Sequence, residues 1–417
     1  MQESETCIQN ASGRLVGVEE RSDGLKAVKT TGETRALLVL LAMGGFGVMG
    51  TNLIAPGLPS LAEPFHVGDD ALGPILSIFS LSAAVTLPFS GLLLDLVGAR
   101  TVGVSSLVIH GISGFLCALA PSYRVLLILR LIQGAAAGAL IPTAMVIITR
   151  WREGEHRLRL IGFFTGAVAG SAAVFPLLGG ILAMWNWRYP FYVHGLSLLL
   201  AVAFGLVFRR AAPVLAGGGM LAADVRDGLI FLLRTLKTAR IRMVFTHTAL
   251  LYFLLYTLIT FIPLFVVRTL GGTEALAGLV LSAGALTEAL VASQAGRMNR
   301  WLPGRMGLSL GFALCGVSLL LLSLLSSRYT LFTGLILFGV GMGITQPAIH
   351  HQATSASSGR FTGSVLGLFN AMKSVGMSLA PALLMGLYAS RGAACVFFAA
   401  SGIGLAWLLI FNLSQRK

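Results

Sequence analysis

The stretch that decides the fold reads Arg130-Leu-Ile-Gln133-Gly134-Ala-Ala-Ala-Gly138-Ala-Leu-Ile-Pro142, and apart from its arginine and glutamine it is apolar enough to lie in lipid. Removing a guanidinium from water costs at least ~2.5 kcal/mol, so such an arginine normally faces protein or a water-filled cavity. Gly134 and Gly138 lie on one helical face and allow a neighbouring backbone to approach closely. The stretch therefore predicts a membrane-spanning helix that packs against protein and carries a charge for a functional reason.

The composition of the whole chain agrees with a membrane-embedded protein. Of 417 residues, 56% are hydrophobic and 11% are charged, which leaves too little polar surface for a water-soluble globule. Apolar segments of about 20 residues, the length that a helix needs to cross a bilayer, recur along the chain. The sequence predicts an all-α polytopic membrane protein with twelve spans, near residues 36–60, 71–94, 101–120, 124–148, 158–183, 189–208, 242–267, 275–298, 306–326, 329–350, 361–388 and 392–413.

The basic residues indicate topology. The formal net charge is +14, but the lysines and arginines concentrate in alternate connections and do not form one patch, so nucleic acid is not an expected partner. An excess of basic residues marks the cytoplasmic side of a membrane protein. This predicts a multi-pass protein of the cell membrane with both termini in the cytoplasm. On the opposite side the chain keeps only Arg124, Arg188, Arg268, Arg328 and Arg391.

Two related halves are predicted from arginine and proline residues that recur at one fixed offset. Sliding the chain against itself by 205 positions aligns Arg100 with Arg305, Pro142 with Pro347 and Pro176 with Pro381. Parallel six-helix repeats of this kind pack about an axis along the membrane normal, with a substrate site between them near the midplane. The predicted organisation is a cytoplasmic tail over 1–35, a six-helix bundle over 36–208, a linker over 209–241, a second six-helix bundle over 242–413 and a tail over 414–417.

One helix end carries a recognisable signature. Gly91-Leu-Leu-Leu-Asp95-Leu-Val-Gly98-Ala-Arg100 follows the second span at a cytoplasmic turn and resembles the loop 2–3 signature of the major facilitator superfamily. The resemblance implies that Asp95 pairs with charges on a neighbouring helix and locks the cytoplasmic side shut in the outward-facing state. Leu96 stands where the family usually has a basic residue. The resemblance also implies the major facilitator fold, with twelve helices in two pseudo-symmetric six-helix bundles.

Two further motifs resemble the twelve-span drug:proton antiporter family. Arg130-x-x-Gln133-Gly134 is similar to the family's helix 4 motif, whose arginine is linked to proton coupling in many exporters. Pro176-Leu-Leu-Gly179-Gly180 is similar to the end of the antiporter motif, although Ser171 and Phe175 replace its two leading glycines. The match is therefore partial, and it implies export less strongly than it implies the fold.

The remaining candidates are polar residues inside predicted spans. Glu288 is the one acid near the middle of a span and Lys373 is its basic counterpart, so the two are candidates for proton coupling, for substrate contact or for a structural charge pair. Asn52 stands where many cation exporters carry an acid, which favours neutral or anionic cargo. Arg130 and Gln133 are expected to work across the cavity with Glu288 and Lys373. Alternatively, Arg130 snorkels to the headgroups, because it lies roughly 9 Å inside the outer helix end.

The histidines and cysteines suggest no metal or cofactor site. His110 and His194 are expected to be packing residues, and His247, His350 and His351 are expected near cytoplasmic ends in solvated or gating roles. Four cysteines are scattered singly, so neither a disulfide framework nor a metal centre is predicted. Aromatic residues such as Tyr252 either line a pocket or pack between helices.

The function predicted from these observations is secondary active transport. The leading hypothesis is proton-coupled efflux of a small neutral or anionic organic compound by rocking of the two halves, in a chain that works as a monomer in the lipid bilayer. A proton symporter or facilitator for uptake of a small metabolite is the alternative. A receptor or an enzyme on the same scaffold is a remote third, because the chain has no nucleophile elbow, phosphate loop or His/Glu metal spacing.

Overall fold

The computed structural model describes residues 33–151, 154–209, 238–301, 305–325, 327–355 and 362–414. The predicted N-terminal tail over 1–35, the linker over 209–241 and the C-terminal tail over 414–417 lie almost wholly outside these residues. The division into domains therefore stays a prediction. In the part of the chain that is described, all regular secondary structure is helical.

The helices follow the predicted spans closely. Eleven described helices are long and apolar enough to cross a membrane, and the last of them, Gly367–Leu413, is 47 residues long. That helix breaks at Gly392, where φ is +78°, so it comprises two spans and the described chain has twelve. We number them α1 (33–52, followed by the 3₁₀ turn Ala55–Leu61), α2 (Gly73–Val97), α3 (Ala99–Cys117), α4 (Tyr123–Trp151), α5 (Gly154–Trp185), α6 (Tyr189–Val207), α7 (Ala239–Leu264), α8 (Glu274–Ser293), α9 (Arg305–Leu324), α10 (Arg328–Ser355), α11 (362–391) and α12 (393–414).

Glycines set the closest helix contacts, and they do so in the same way in both halves. A Cβ added at Gly134 would strike the Phe79 carbonyl of α2, and one at Gly339 would strike the Gly284 carbonyl of α8. Each residue of the second pair lies 205 positions after its counterpart in the first. Without side chains here, the backbones of α4 and α10 can lie directly on their neighbours.

The next helical turn repeats this arrangement. A Cβ added at Gly138 would lie 3.0 Å from the Ala83 carbonyl, and one at Gly343 would lie 2.8 Å from the Glu288 carbonyl. These residues are again separated by 205 positions. The predicted internal repeat and the predicted small-residue face of α4 are therefore confirmed as features of the fold.

The two halves meet at the end of the bundle opposite the chain termini, which we call the distal end. There α5 packs on α8 and α2 packs on α11. Gly278 approaches the Pro176 carbonyl, and its repeat counterpart Gly73 approaches the Pro381 carbonyl. The backbone amide of Leu177 donates to the Ser282 hydroxyl across the same interface at 2.9 Å. The distal end is therefore closed by backbone-to-backbone packing.

At the termini end the same face of α5 is open. Gly162 and Gly180 are five helical turns apart and so lie on one face of the helix. A Cβ at Gly180 would strike the Glu274 carbonyl of α8, whereas one at Gly162, Gly166 or Gly170 would meet nothing within 4 Å. The halves therefore diverge from the distal end towards the termini end.

Candidate functional site

Arg130 is completely buried between α4 and α2. Its Nε donates to the Ile75 carbonyl at 3.1 Å, and its Nη1 donates to Gln133 Oε1 at 2.8 Å. Its guanidinium carbon lies 4.4 Å from the centre of the Phe79 ring, within the range of a cation–π contact. The side chain is 0% exposed, so it faces protein and does not snorkel to the membrane surface.

No carboxylate pairs with Arg130 in the described part of the chain, and its Nη2 has no hydrogen-bond partner there. A buried charge left without a counter-ion is costly, and such groups persist mostly where function requires them. The contacts that Arg130 makes all lie within the N-terminal half. Its predicted cooperation with Glu288 and Lys373 is therefore not a direct contact in this conformation.

The central contact between the halves joins two residues of α1 and α7. The hydroxyl groups of Thr51 and Tyr256 lie 2.8 Å apart and are both buried. These positions are themselves 205 residues apart, as expected for residues close to the pseudo-symmetry axis. Asn52, the neighbouring candidate, donates from Nδ2 to the Val48 carbonyl at 2.9 Å and is partly buried.

Lys373 lies at a narrow cleft between α7, α10 and α11. Its Nζ lies 2.8 Å from His350 Nε2 and faces the rings of Tyr252 and Phe369, at 5.4 and 4.9 Å from their centres. Because an ammonium group only donates, Nε2 of His350 accepts this bond. Gln346 Nε2 donates to the Tyr252 hydroxyl at 2.7 Å on the same cleft. The cleft therefore holds a positive charge between aromatic faces and amide and hydroxyl groups.

Glu288 lies on α8, where it is partly buried beside α10. Its carboxylate makes no hydrogen bond or ion pair with another described residue, and Lys373 makes its hydrogen bond with His350 instead. The charges of Glu288 and Lys373 nevertheless interact through space. The predicted pair is thus held apart in this conformation, which leaves the carboxylate available to a proton or a ligand.

The loop 2–3 signature forms a tight helix-to-helix junction. Gly98 separates α2 from α3 with φ of +84°, a conformation that favours glycine, and Gly91 has open space around it. Arg100 donates from Nε and Nη2 to the Gly205 carbonyl at 3.3 and 3.2 Å, near the end of α6. The side chain of Asp95 lies outside the described residues, so its predicted role in gating stays a prediction.

The antiporter-like residues lie where α5 crosses α1 and α8. Gly179 approaches the Leu53 carbonyl, Gly180 approaches Glu274, and the Pro176 carbonyl faces Gly278. The motif therefore works here as a packing surface that brings the two halves together at the distal end. Its predicted link to antiport is not decided by this geometry.

Sequence reasoning missed the residues that surround Lys373. His350 was expected in a solvated or gating role, but it lies at the cleft and contacts Lys373 and Phe369. His247 was expected near solvent but is 1% exposed among Phe312, Trp407 and Phe411. The helical period predicts only which residues share a face, and the rotation of each helix in the bundle determines what that face contacts.

The whole-chain comparison agrees with this architecture. The sequence profile of the Major Facilitator Superfamily matches residues 40–381 and, in a second match, residues 244–416. The chain belongs to the Major Facilitator Superfamily. The predicted resemblance is thereby confirmed, together with the twelve-helix fold and the assignment to a family of membrane transporters and not to enzymes.

Known proteins similar to this superfamily member include multidrug transporters. The chain is 30% identical over 183 residues to the multidrug transporter protein MdtP of Bacillus subtilis, a match that covers 42% of this chain and 34% of MdtP. It is 26% identical over 159 residues to the quinolone resistance protein NorA of Staphylococcus aureus, covering 38% of this chain and 41% of NorA. The chain thus spans less than half the length of these curated relatives.

The fold is also similar to that of a POT family transporter crystallised in complex with 5-aminolevulinic acid. The TM-score is 0.76, and the alignment covers 91% of this chain and 95% of the other at 13% identity. At this identity the likeness shows the fold alone.

An ion pair spans the two halves of this superfamily member at the distal end. Arg268 Nη2 lies 2.9 Å from Asp69 Oδ1 and also donates to the Pro59 carbonyl at 3.3 Å. Ser60 donates to Glu274 Oε1 at 2.5 Å nearby. We call Asp69, Arg268, Ser60 and Glu274 the distal latch.

Breaking the distal latch is expected to have a small effect, because its ion pair is partly exposed. Such pairs contribute about 0–1 kcal/mol. Asp69→Asn and Arg268→Gln are each expected to lower transport less than about fivefold, and the exchange Asp69→Arg with Arg268→Asp is expected to restore it. Transport of a fluorescent substrate by purified protein in liposomes measures this, with Arg328→Gln as a control at the same end. Failure of the exchanged pair to recover any activity would contradict the assignment.

Proposed function

We propose that this protein is a proton-coupled exporter of small neutral or anionic organic compounds. The observation that carries the proposal is the Lys373 cleft, which presents a positive charge, two aromatic rings and two polar side chains at one point of the membrane interior. An anionic group of a cargo molecule would pair with the ammonium, and an aromatic ring of the cargo would stack on Tyr252 or Phe369.

The charge balance of the membrane interior supports this cargo class. Arg130 and Lys373 are both basic, Asn52 stands in α1 where many cation exporters carry an acid, and Glu288 is the one acid near the middle of a predicted span. A lipophilic cation would meet repulsion in such a cavity, whereas a carboxylate would be attracted. Quinolones carry an aromatic system and a carboxylate, and one relative is a quinolone resistance protein. Norfloxacin is therefore a suitable first probe.

Alternating access is the mechanism proposed for transport. In the conformation described here the distal end is closed and α5 is open along Gly162–Gly170. The Lys373 cleft is too narrow to hold a water molecule, so cargo binding requires the helices around it to separate. Rocking of the halves about the Thr51–Tyr256 contact would open the distal end and close the termini end.

We place the protein in the cell membrane with both termini in the cytoplasm, on the distribution of basic residues. With that orientation the distal end faces outward and the conformation described here opens inward. Each chain contains both halves of the fold, so a monomer is sufficient for this mechanism. The expected partners are the cargo, protons and the lipid bilayer.

Everted membrane vesicles test the function and its direction. When the vesicle interior is acidified, an exporter that exchanges cargo for protons is expected to accumulate norfloxacin inside, because interior protons leave as cargo enters. A symporter would expel preloaded norfloxacin with the protons, and a facilitator would ignore the gradient. Vesicles from cells without the protein provide the baseline. Either of the last two behaviours would overturn the proposed export in favour of uptake or passive transport.

Removing the charge of Glu288 is expected to uncouple transport from protons. Glu288→Gln keeps the shape of the side chain but cannot release a proton, so pH-driven accumulation of norfloxacin is expected to fall by about tenfold, a typical size for coupling between linked sites. Exchange of norfloxacin at equal pH on both sides is expected to persist. Glu155→Gln, on an exposed residue of α5, is the matched control. A Glu288→Gln protein that still accumulates norfloxacin fully would exclude Glu288 as the coupling residue.

A further inference from the structure

Two buried histidines that the mechanism above does not use lie within electrostatic reach of Arg130. His110 of α3 and His194 of α6 are both 0% exposed, and their ring centres are 5.4 Å apart. Gln133 lies beside His194, because a Cβ added at Gly114 would touch both Gln133 Nε2 and His194. We call His110, His194, Arg130 and Gln133 the histidine cluster.

The histidine cluster contains an unusual number of unsatisfied polar atoms. In the described part of the chain, both ring nitrogens of His110, Nε2 of His194, Nη2 of Arg130 and Nε2 of Gln133 are buried without a hydrogen-bond partner. Buried polar groups are normally paired, and each unpaired group costs about 1–3 kcal/mol. A cluster of five such atoms across three helices is therefore not explained by packing alone.

The tautomer of His194 follows from its one hydrogen bond. Its Nδ1 lies 3.1 Å from the Pro190 carbonyl, which can only accept, so Nδ1 carries the hydrogen. Nε2 of the neutral ring then presents a bare lone pair inside the protein. His110 likewise presents one lone pair on whichever nitrogen lacks hydrogen. The pair thus offers two buried sites that can accept a proton.

Arg130 is the charge that this proton would meet. The charged group that acts on the histidine pair is Arg130 of α4. Two further ionisable groups, Cys117 of α3 and Tyr256 of α7, lie within electrostatic reach of Arg130. Among the described residues, α2 contacts Arg130 through the Ile75 carbonyl and the Phe79 ring. A proton added to either histidine would place a second buried cation beside Arg130, so the proton and the present position of Arg130 oppose each other.

We propose that His110 and His194 form a proton-binding site of the N-terminal half, coupled to the conformational change through displacement of Arg130. Protonation repels the guanidinium from Ile75 and Phe79 of α2, and return of Arg130 expels the proton. The site is separate from Glu288, which lies in the other half. This inference rests on the proposed proton coupling and adds a second proton-binding site to it.

The first test measures protons released when cargo binds. Norfloxacin is added to the full-length protein in weakly buffered detergent containing a pH-sensitive dye. The variant His110→Gln with His194→Gln is expected to release roughly half as many protons as the unmodified protein, since one of two linked proton sites is lost. His247→Gln is the matched control, because His247 is also buried, its ring nitrogens have no hydrogen-bond partner in the described residues, and aromatic rings surround it. Equal release from the double variant and the unmodified protein would overturn the proposal.

A second measurement does not depend on transport or on the double variant folding. The unmodified protein labelled with ¹⁵N-histidine is titrated by NMR, and single His→Gln variants assign the rings of His110 and His194. Both rings are expected to gain a proton on acidification, and the titration of each ring is expected to shift when the other is replaced. If neither ring titrates, the histidine site is refuted even where proton-coupled export holds. If both titrate but norfloxacin is not exported, the site stands and the proposed function fails.

Discussion

Replacing Arg130 with methionine is expected to lower export strongly without lowering the stability of the protein. Methionine is of similar length and apolar, so it fills the space beside Phe79 while it removes a buried charge that has no carboxylate partner among the described residues. Exchanging buried ionic groups for apolar ones of similar volume is often neutral or stabilising. We therefore expect a loss of norfloxacin export of about tenfold or more, the range of typical coupling energies, with an unchanged or higher unfolding temperature.

A loss of export with an unchanged unfolding temperature would show that Arg130 acts in transport and not in stability. Export is measured in vesicles, and unfolding is followed by the fluorescence of the purified protein on heating. Arg124→Met is the control, because Arg124 lies on the same helix, six residues earlier, and is exposed. If export and stability fell together, Arg130 would be a structural residue. If neither changed, its burial would serve no function in transport.

Substituting valine for Gly180 is expected to prevent closure of the distal end. The added side chain would collide with the Glu274 carbonyl and the Ala275 backbone of α8, which belong to the other half. Overpacking of this kind costs about 1–3 kcal/mol, and each 1.4 kcal/mol shifts a conformational equilibrium about tenfold. The population closed at the distal end is therefore expected to fall by roughly ten- to hundredfold, and export with it.

The matched control for Gly180→Val lies on the same helix face. Gly162 is five turns away, and a Cβ added there would meet no atom within 4 Å. Gly162→Val is therefore expected to leave the conformation described here undisturbed. Spin labels at His66 and Leu325, both on distal connections, report opening of the distal end as a longer separation in a chain whose native cysteines are replaced. An unchanged separation in Gly180→Val would show that α5 and α8 do not form the closing surface.

The spans, the repeat and the glycine contacts could be predicted because they depend on local properties of the chain. Helix length follows from bilayer thickness, and the break at Gly392 follows from its freedom at positive φ. The match of Pro176 with Pro381 was one of the pairs that predicted the repeat, and each proline carbonyl faces a glycine of the other half. These features need no knowledge of how the helices are rotated.

The partners of the charged residues could not be predicted in the same way. The sequence suggested Glu288 as the partner of Lys373, but His350 on α10 reaches Nζ first at 2.8 Å. Sequence periodicity indicates the face of a helix but not its orientation in the bundle.

By itself, the sequence predicted a twelve-span helical membrane protein, because hydrophobic length and glycine spacing act locally along each helix, and its motifs resembled those of the Major Facilitator Superfamily. Only the tertiary structure decided that Arg130 is covered by Ile75 and Phe79 instead of reaching the membrane surface, and that His110 and His194 lie behind it. Burial is a property of the neighbouring helices. Residues far apart in sequence come together only when α2, α3, α4 and α6 pack around a shared interior.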